Sequence, residues 1–327
     1  MEHTGSAPSL SEHPSTAILP RSAAVVVVWR DAGNAVNAVA SLRAMRPRPE
    51  TIVCVVQEAK VPESWRAIES PVMRVIELTE NHGFAHAANL GVEAAIEIGA
   101  EWILLLNDDA VVERSCLARC VDEAKSDPAI AAVGPAVVFE DRPDTIWFAG
   151  GRHSDEFLYT RHRGLGRTVD ELPGTSDTEY IAGCCLLLRA AAWSKLGGFR
   201  DDFFLYYEDA EWCLRARNAG WRCRYVGEVL CRHRVSSSTQ GGDRALSPTS
   251  AYYRSRNQLR FALETRTPRR RITRTAGVLL IWTPYLAWQL VRAHDLQTTR
   301  ASLRGLRDGF RGRMGKGPWP LEAPSAR

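Results

Sequence analysis

The sequence predicts an α/β protein: a mainly parallel sheet flanked by helices, followed by a basic helical extension. Its 327 residues are 45% hydrophobic and 24% charged, which is typical of a globular protein and excludes a collagen, a coiled coil or a wholly disordered chain. Short apolar runs alternate with helical stretches, which indicates crossover units. Residues 252–327 carry a net charge of +12, whereas the remainder carries −8. A basic end of this kind suits an anionic surface, either lipid head groups or nucleic acid.

The first part of the chain supplies this alternation. Predicted strands, which are short apolar and β-branched runs, cover residues 23–29, 51–56, 72–78, 101–106 and 131–139. Predicted helices, the first of them capped by Asn34, cover residues 34–45, 85–99 and 113–126. Parallel strands joined by helices bind ligands at their carboxyl ends, so we expect the functional site at that edge of the sheet.

The later part of the chain is less regular. Residues 140–178 are polar and lack a clear period, which predicts loops around short strands, a lid or specificity region without catalytic residues. The core resumes at residues 180–189, a helix is predicted at 208–219, and one or two short strands at 222–232. The predicted organisation is a disordered tail (1–22), a globular α/β domain (23–258), a helical basic extension (259–311) and a second disordered tail (312–327).

The basic extension contains an apolar segment at residues 276–291, in which 12 of 16 residues are apolar and Pro284 lies in the middle. As a helix it would be about 24 Å long, short of the roughly 30 Å hydrocarbon core of a bilayer, so we expect no membrane span. Four arginines within residues 269–274, together with three aromatic residues, favour a helix lying in the interface of an anionic leaflet. The alternative is a terminal helix pair packed on the domain.

The eight cysteines form no Cys-x-x-Cys pair and have no regular spacing, so the sequence predicts neither a zinc site nor a disulfide framework. Several lie in apolar runs, which favours a reducing, cytoplasmic compartment. The first 22 residues contain no basic head followed by an apolar stretch, and no signal peptide is predicted.

Two acidic clusters are candidates for chemistry. The strand at 101–106 runs directly into Asn107, Asp108 and Asp109, where the carboxylates either hold Mg²⁺ or Mn²⁺ against a diphosphate or cap the following helix. An aromatic run at 203–207 precedes the second cluster. The acids of this cluster are Glu208, Asp209 and Glu211. They are either ordinary first-turn residues of a helix or include a general base whose basicity is raised by the aromatic residues beside it.

Two further features are less specific. His233 follows the predicted strand at 222–232 and is either a structural histidine or a metal ligand. The turn at residues 81–91 opens a helix, so its amides and Asn89 are candidates to hold a nucleotide's ribose or phosphate. This turn matches neither the Gly-x-Gly-x-x-Gly fingerprint nor a Walker loop.

Taken together, residues 24–257 resemble the family 2 glycosyltransferases of GT-A fold, particularly the bacterial rhamnosyltransferase-like branch. The resemblance rests on the order and spacing of four landmarks: the turn at 81–91, the Leu-Leu-Leu-Asn-Asp-Asp run at 104–109, the segment 197–209 that ends in Glu208-Asp209, and His233 with Ser236 and Ser238. The run at 252–257, Tyr-Tyr-Arg-Ser-Arg-Asn, is a further family-like signature. The resemblance implies a GT-A type, Rossmann-like sheet.

The resemblance also implies roles. Residues 107–109 match the DXD-type motif, with Asp109 as the direct metal ligand and Asp108 near the sugar or ribose. Because the first acid is Asn in this chain, the metal site needs another ligand, which favours His233. Asp209 matches the general base that deprotonates the acceptor hydroxyl, and Glu208 is its neighbour and rival. The implied cofactor is Mg²⁺ or Mn²⁺.

The implied nucleotide-binding residues come from the ends of the first strands, the turn and the acidic motif: Trp29, Gln57, Glu58, Asn81, Gly83, Asn89 and Asp108. One departure concerns the nucleobase, because relatives usually carry Asp-Asn or a similar polar pair where this chain has Gln57-Glu58. Glu58 is able to accept the N3–H of a pyrimidine and Gln57 suits either edge of a base, so the residues do not specify uridine or thymidine.

The implied function is inverting, metal-dependent transfer of a sugar, with a rhamnose-type donor favoured, from a nucleoside diphosphate sugar to a glycan or polyprenyl-linked acceptor in cell-envelope polysaccharide synthesis. The expected location is cytoplasmic and peripheral on the inner face of the plasma membrane, and no nucleic-acid motif accompanies the basic tail. Two alternatives remain. One is a non-catalytic nucleotide-sugar or glycan-binding relative; the other is a sugar nucleotidyltransferase, for which residues 30–34 are a poor phosphate loop.

Overall fold

The computed structural model describes residues 18–30, 32–66, 72–153, 160–235, 246–264, 268–291 and 294–318. Within these residues the strands are β1 (Ile18–Trp29), β2 (Arg48–Gln57), β3 (Met73–Leu78), β4 (Trp102–Asn107), β5 (Ala110–Val112), β6 (Ile130–Phe139), β7 (Ile146–Phe148), β8 (Gly151–His153), β9 (Thr160–His162), β10 (Ser176–Thr178), β11 (Cys185–Arg189) and β12 (Arg222–His233). The helices are α1 (Ala32–Ala44), α2 (Glu63–Arg66), α3 (Phe84–Glu97), α4 (Cys116–Lys125), α5 (Ala190–Leu196), α6 (Glu208–Asn218), α7 (Pro248–Leu263), α8 (Pro268–Val291) and α9 (Leu296–Phe310).

A mixed sheet forms the centre of the molecule, with the strand order β10-β12-β6-β11-β4-β1-β2-β3. Parallel pairs join β1 to β2 and β4, β2 to β3, and β6 to β12. Strand β11 runs antiparallel between β4 and β6, while β5 and β7 add to β12 and β6. The predicted mainly parallel sheet flanked by helices is therefore confirmed, with β11 as an antiparallel insertion.

The central strands have apolar residues on both faces because helices cover the sheet. Residues 23–28 of β1 and 52–56 of β2 are all buried, and α1 and α3 both pack on these two strands. Two-sided burial removes the polar alternation of a half-exposed strand, which is why these strands appear in the sequence as continuous apolar runs. The eight cysteines are free thiols, all buried in or near this core.

Several element boundaries differ from the sequence prediction. Residues 18–22 belong to β1 rather than to a disordered tail, whereas residues 1–17 lie outside the described part of the chain. Helix α1 begins at Ala32, so Asn34 lies in its first turn and is not its N-cap. Residues 222–232 belong to one long strand, β12, with register irregularities. Strand β5 was not predicted, because three residues carry no periodic signal.

The predicted boundary at residue 258 falls inside α7, which runs on to Leu263. Helix α9 packs along α7, and the contact is close because a Cβ at Gly309 would lie 2.5 Å from the carbonyl oxygen of Arg256. The Tyr252 hydroxyl also donates to the buried Asp308 carboxylate at 3.1 Å. The C-terminal helices are therefore attached to the domain through α7.

Helix α8 includes the predicted apolar segment at 276–291 and has two different sides. Val278 and Trp282 are buried against Leu259 and Leu263 of α7. The other side exposes large apolar residues, among them Ile272, Leu279, Leu280, Leu290 and Val291. None of the helices within the described residues is both long and apolar enough to cross a bilayer. The side chains of the predicted arginines at 269–271 lie outside the described part.

The described part of the second predicted tail, residues 312–318, contacts the rest of the protein. The Gly315 amide donates to the Asp202 carbonyl oxygen at 2.6 Å, and the Gly317 amide donates to the Tyr253 hydroxyl at 2.8 Å. These bonds join the end of the chain to the segment that precedes Glu208-Asp209 and to α7. The prediction of disorder is therefore wrong for these seven residues, while residues 319–327 are not described.

Candidate active site

A cavity of about 790 Å³ opens at the carboxyl ends of the parallel strands. Nine of the eleven residues predicted for the site line it: Trp29, Gln57, Asn81, Gly83, Asp108, Asp109, Glu208, Asp209 and His233. The other two, Glu58 and Asn89, do not line the cavity. The cavity is where a mainly parallel α/β sheet places its ligands, since strand ends and the loops after them converge there.

Asp109 and His233 meet because β5 pairs with the end of β12. The pairing places His233 opposite Ala110, and the Arg234 amide donates to the Asp109 carbonyl oxygen at 2.8 Å. As a result, His233 Nε2 lies 2.9 Å from Asp109 Oδ1, with both side chains at least nine-tenths buried. Residues 124 positions apart in sequence thus form one polar pair at the cavity wall.

Three features of this pair fit a divalent cation. A carboxylate oxygen and an imidazole nitrogen face each other, and both are ligands that Mn²⁺ accepts. Trp147 and the His233 ring make an edge-to-face contact, with centroids 4.6 Å apart and an interplanar angle of 76°. The Asn107 side-chain oxygen, which is buried, has no hydrogen-bond partner among the described residues. The described residues contain no cluster of three or more His, Cys, Asp or Glu ligands, so a cation held here would need further ligands from outside the protein.

Glu208 and Asp209 lie at the N-terminus of α6 in the cavity wall, where Glu208 is buried and Asp209 is half-buried. Asp209 accepts hydrogen bonds from the amides of Gly183 and Ala210 at 2.8 and 2.7 Å. Burial raises the pKa of Asp209, and these amides oppose the rise. Burial, reinforced by the negative charge of Asp209, raises the pKa of Glu208 well above its ordinary value, and one Glu208 oxygen has no partner within the described residues. The Asp209 carboxylate is therefore held by two backbone amides, whereas Glu208 holds its proton more tightly.

The loop before this acidic pair has a strained backbone. Phe204, Tyr206 and Tyr207 have φ values of 65°, 68° and 75°, in the left-handed region that residues other than glycine rarely adopt. Each such residue costs on the order of 1–3 kcal/mol, and strain of this kind persists only where neighbouring structure enforces it. The loop at 203–207 needs an external clamp to keep Asp209 in place.

Helix α7 supplies that clamp through the signature at residues 252–257. The Asn257 side-chain nitrogen lies 2.8–2.9 Å from three carbonyl oxygens of the loop, and Arg256 donates to one of them at 2.9 Å. Both side chains are fully buried. At about 1 kcal/mol for each hydrogen bond, these contacts are comparable to the strain of the loop. The sequence identified the signature but gave no partner for it.

The turn at residues 81–83 is joined to the same loop. Gly83 has φ 96°, and a Cβ at this position would lie 2.5 Å from the Phe204 carbonyl oxygen. The same oxygen accepts a hydrogen bond of 2.7 Å from the Phe84 amide. Only glycine allows this approach, so the turn and the acidic loop, which are separate landmarks in the sequence, form one wall of the cavity.

Gln57 and Glu58 hold this turn from the other side. The Gln57 side-chain oxygen accepts from the His82 amide at 3.0 Å, and Glu58 accepts from the Asn81 amide at 3.3 Å. Glu58 also accepts a 3.1 Å bond from the Trp29 indole, the largest of the contacts that lower its pKa. Glu58 is thus ionised next to the cavity, and its carboxylate already organises Trp29 and the turn.

The side chain of Asn89 makes hydrogen bonds that hold two segments of the fold together. Its amide nitrogen donates to the Phe199 carbonyl oxygen at 2.8 Å and to the Asp201 carboxylate at 2.6 Å, while its oxygen accepts from the Phe199 amide at 2.8 Å. These bonds attach α3 to the segment before the strained loop. The position of Asn89 outside the cavity lining gives no support to the predicted contact with ribose or phosphate.

The region at 140–178, for which no catalytic residue was predicted, also contributes to the cavity through Trp147, Arg161 and His162. The Nδ1–H of His162 donates a 3.2 Å bond to the Trp147 carbonyl oxygen, and burial lowers the pKa of His162 to about 4, so the ring is neutral. Polar loops without a period gave no signal for these contacts. Ser236 and Ser238, which the resemblance included, lie outside the described residues.

The fold is the GT-A fold of glycosyltransferases. Among solved structures, the mannosyltransferase PcManGT from Pyrobaculum calidifontis, in complex with GDP-Man and Mn²⁺, is similar with a TM-score of 0.53 and 15% sequence identity, covering 89% of this chain and 87% of that one. The sequence model described as "Glycosyltransferase like family 2" matches residues 20–258. The chain therefore belongs to glycosyltransferase family 2.

Two curated relatives are rhamnosyltransferases. The N-acetylglucosaminyl-diphospho-decaprenol L-rhamnosyltransferase of Mycobacterium tuberculosis is 24% identical over 262 residues, which are 73% of this chain and 83% of that protein. The dTDP-rhamnosyl transferase RfbF of Shigella flexneri is 24% identical over 259 residues, 75% of this chain and 81% of that protein. These similarities place the chain in the rhamnosyltransferase-like branch of the family, as the sequence motifs predicted, and identify it as a glycosyltransferase of glycan synthesis.

Proposed function

We propose that this glycosyltransferase transfers a sugar, with inversion, from a nucleoside diphosphate sugar to a hydroxyl of a lipid-linked glycan acceptor. The observation that carries the proposal is the shared cavity: the Asp109–His233 pair and the Glu208–Asp209 pair line the same space. The Asp109–His233 pair suits the leaving diphosphate, and the Glu208–Asp209 pair suits the incoming hydroxyl. A single-displacement reaction needs these two functions on one substrate site.

Asp209 is the proposed general base. Its carboxylate takes the proton of the acceptor hydroxyl while that oxygen bonds to the anomeric carbon. The bond from this carbon to the diphosphate breaks at the same time, and the nucleoside diphosphate leaves with the electron pair. The amides of Gly183 and Ala210 orient the carboxylate at 2.8 and 2.7 Å, so it needs no rearrangement before accepting the proton.

Asp109 and His233 are the proposed ligands of the divalent metal, with Asp108 beside them. When bound, Mg²⁺ or Mn²⁺ supplies Lewis-acid stabilisation of the negative charge on the diphosphate. The Asp108 carboxylate accepts a long hydrogen bond of 3.4 Å from the Trp29 amide at the end of β1. This contact places the Asp108 carboxylate beside the proposed nucleotide-binding residues. Trp29, Gln57 and Asn81 are the proposed surroundings of the nucleoside, and Glu58 positions Trp29 and Asn81 from outside the cavity lining.

The donor assay is the direct test of this function. We expect the purified protein with Mn²⁺ to transfer rhamnose from dTDP-rhamnose to N-acetylglucosaminyl-diphospho-farnesol, and to use UDP-galactofuranose, UDP-glucose and GDP-mannose at least tenfold less well. The choice of donor and acceptor follows from the activities for which the two relatives are named. Product mass and anomeric configuration are the measurements, and a retained configuration would contradict the inverting mechanism.

The same assay separates the alternatives. Binding of a nucleotide sugar without turnover on any acceptor would favour a non-catalytic relative. Formation of a nucleotide sugar from a nucleoside triphosphate and a sugar phosphate would identify a nucleotidyltransferase. The convergence of Asp109, His233 and Asp209 on one cavity supports the enzyme over both of these alternatives.

We also propose a cytoplasmic, peripheral location at the inner leaflet of the plasma membrane. The net charge of +12 on residues 252–327 and the exposed apolar side of α8 support attraction to anionic lipid followed by shallow insertion. Leu280 and Val291 are 70% and 68% exposed, so they are available for insertion without disturbing the contact of α8 with α7.

Sedimentation with liposomes tests this location. We expect the protein to sediment with phosphatidylglycerol vesicles at low salt, and the double variant L280N/V291N to bind at least fivefold more weakly because it loses apolar area on the inserted side. Ile98→Asn, an exposed apolar residue at the end of α3, is the matched control and keeps wild-type binding. Equal binding of the double variant and the wild type would contradict the proposed surface.

A further inference from the structure

The C-terminal helices form one side of the cavity itself. Thr249, Arg254 and Gln258 of α7 and Ile281, Trp282 and Tyr285 of α8 line the same space as Asp209 and Asp109. The apolar segment predicted at 276–291 therefore has an inner side that faces the substrate cavity as well as its exposed outer side. This inner side consists of Ile281 and two aromatic residues, Trp282 and Tyr285, and Arg254 of α7 lines the same cavity.

Arg254 is the cation of this wall. Its guanidinium lies over the Tyr206 ring, 4.7 Å from the ring centroid, and its Nε is buried without a hydrogen-bond partner in the part of the chain that the structure describes. Its positive charge lowers the pKa of Asp209 and of Tyr285 against the larger effect of burial. Arg254 thus lines the cavity beside the loop that leads to the proposed base, and it still has a buried N–H to donate.

The aromatic residues of the wall are held in place by buried polar contacts. The Trp282 indole donates to the Gln258 side-chain oxygen at 2.8 Å. The Tyr285 hydroxyl accepts bonds from the Gln289 side chain at 2.6 Å and from the Leu246 amide at 3.2 Å. Their polar atoms are engaged with protein, so the surfaces that they turn to the cavity are apolar. The wall is preorganised for an apolar ligand.

The order of these groups matches the order of parts in a lipid-linked acceptor. The loop that leads to Asp209, which takes the proton of the sugar hydroxyl, carries Tyr206, on which Arg254 stacks. One turn further along α7, Gln258 contacts Trp282 in the apolar surface of α8. A prenyl-linked acceptor presents a sugar, a diphosphate and a hydrocarbon chain in the same order. An arginine guanidinium donates several N–H bonds to phosphate oxygens, and one with an unused N–H beside the cavity is suited to that contact.

We propose that Arg254 binds a phosphate of a diphosphate-linked acceptor, and that Ile281, Trp282 and Tyr285 contact the first units of its hydrocarbon chain. This inference rests on the proposed function and names the acceptor subsite. The donor also carries a diphosphate, but that group is assigned to Asp109 and His233. Arg254 instead stacks on Tyr206, in the loop that leads to the proposed base.

Paired acceptors test the proposal. N-acetylglucosaminyl-diphospho-farnesol and farnesyl N-acetylglucosaminide have the same sugar and prenyl chain, and only the first has a diphosphate. For Arg254→Met we expect the KM for the diphosphate acceptor to rise about 10- to 100-fold, the range for loss of one charged hydrogen bond. The KM for the diphosphate-free acceptor and the KM for the donor should change less than threefold. Arg254→Lys keeps the charge and should raise the first KM less than Arg254→Met does.

Arg260→Met is the matched control, because Arg260 lies on the same helix, outside the cavity lining, and pairs with Glu264 at 2.6 Å. It should leave all three KM values unchanged. Loss of Arg254 also removes a charge near Asp209, but that effect changes kcat and its pH profile for both acceptors alike. The ratio of the two acceptor KM values therefore separates a phosphate contact from a purely structural role.

Two results would overturn the proposal. One is an equal rise in KM for both acceptors in Arg254→Met and Arg254→Lys, and the other is a rise in the donor KM alone, which would assign Arg254 to the donor diphosphate. If the wild-type protein transferred no sugar to either acceptor from any donor, the proposed function itself would fail. Circular dichroism and thermal unfolding of each variant identify a folding defect, and Arg254→Lys keeps the test valid if Arg254→Met does not fold.

Discussion

Asp209→Asn is expected to slow sugar transfer by about 10²- to 10⁴-fold, the usual contribution of a general base. The amide cannot take the proton of the acceptor hydroxyl, yet it has nearly the shape of the carboxylate and keeps an oxygen for the Gly183 amide. Donor binding should therefore persist. Steady-state transfer rates and the Kd for the nucleoside diphosphate, measured by calorimetry, test both parts of this expectation.

Glu208→Gln is the matched comparison, since it replaces the neighbouring buried acid by its amide. We expect a much smaller loss of activity, because Glu208 holds a proton under conditions in which Asp209 is ionised. If Glu208→Gln were the more damaging of the two changes, the base would have to be reassigned to Glu208. Near wild-type turnover by Asp209→Asn would remove Asp209 from the role altogether.

The two acids also predict dependences on pH. Because burial raises the pKa of Asp209 above its ordinary value of 3.8, the acidic limb of kcat should lie at higher pH than for an ordinary Asp. A raised pKa in the folded state means that Glu208 favours folding below its ordinary pKa of 4.5, and that this contribution is lost as pH rises toward the folded value. Glu208→Gln should therefore raise the free energy of unfolding more at pH 7.5 than at pH 4.5, by about 1.4 kcal/mol per pH unit at most, which urea unfolding at the two pH values measures.

Asp109→Asn is expected to have the second large effect, through the metal site. An amide in place of the carboxylate removes the anionic ligand that faces His233 Nε2 at 2.9 Å, and the pair loses its charge match to a divalent cation. We expect the Kd for Mn²⁺, measured by electron paramagnetic resonance in the presence of the nucleoside diphosphate, to rise at least tenfold. Transfer at a fixed, low Mn²⁺ concentration should fall by about 10²-fold or more.

Asp122→Asn on the exposed side of α4 is the control for this change, since it alters the same chemical group far from the cavity lining. It should leave the Kd for Mn²⁺ and the transfer rate unchanged. Treatment of the wild-type protein with EDTA should abolish transfer, and Mn²⁺ or Mg²⁺ should restore it. Full activity in EDTA, or an unchanged Kd for Mn²⁺ in Asp109→Asn, would contradict the assignment of Asp109 and His233.

The sequence was most informative where a local pattern determines structure. The buried strands β1, β2, β4 and β6 were predicted because two-sided burial leaves continuous apolar runs, and the acidic motif follows β4 as expected. The approach of Asp109 to His233 was expected only from family resemblance. Its physical cause is the three-residue strand β5, which is too short to have a periodic signal.

The acceptor side of the site was not predictable in the same way. Arg254 and Asn257 are polar residues on one helix, and periodicity alone cannot distinguish a clamp from a ligand contact. Trp147 and His162 come from polar loops whose course depends on tertiary contacts. Asn89 was assigned to the nucleotide because it lies in a helix-opening motif, but its partners are Phe199 and Asp201.

The clamp of Asn257 on the strained loop has a consequence for how this enzyme can diversify. A single helix, α7, both fixes the backbone that leads to Asp209 and presents Arg254 to the cavity. An exchange of the C-terminal helices between family members, made to alter which hydroxyl compound is glycosylated, would therefore displace the proton acceptor as well. Acceptor preference in this scaffold should evolve by substitutions on the cavity side of α7 and α8 rather than by recombination of whole segments.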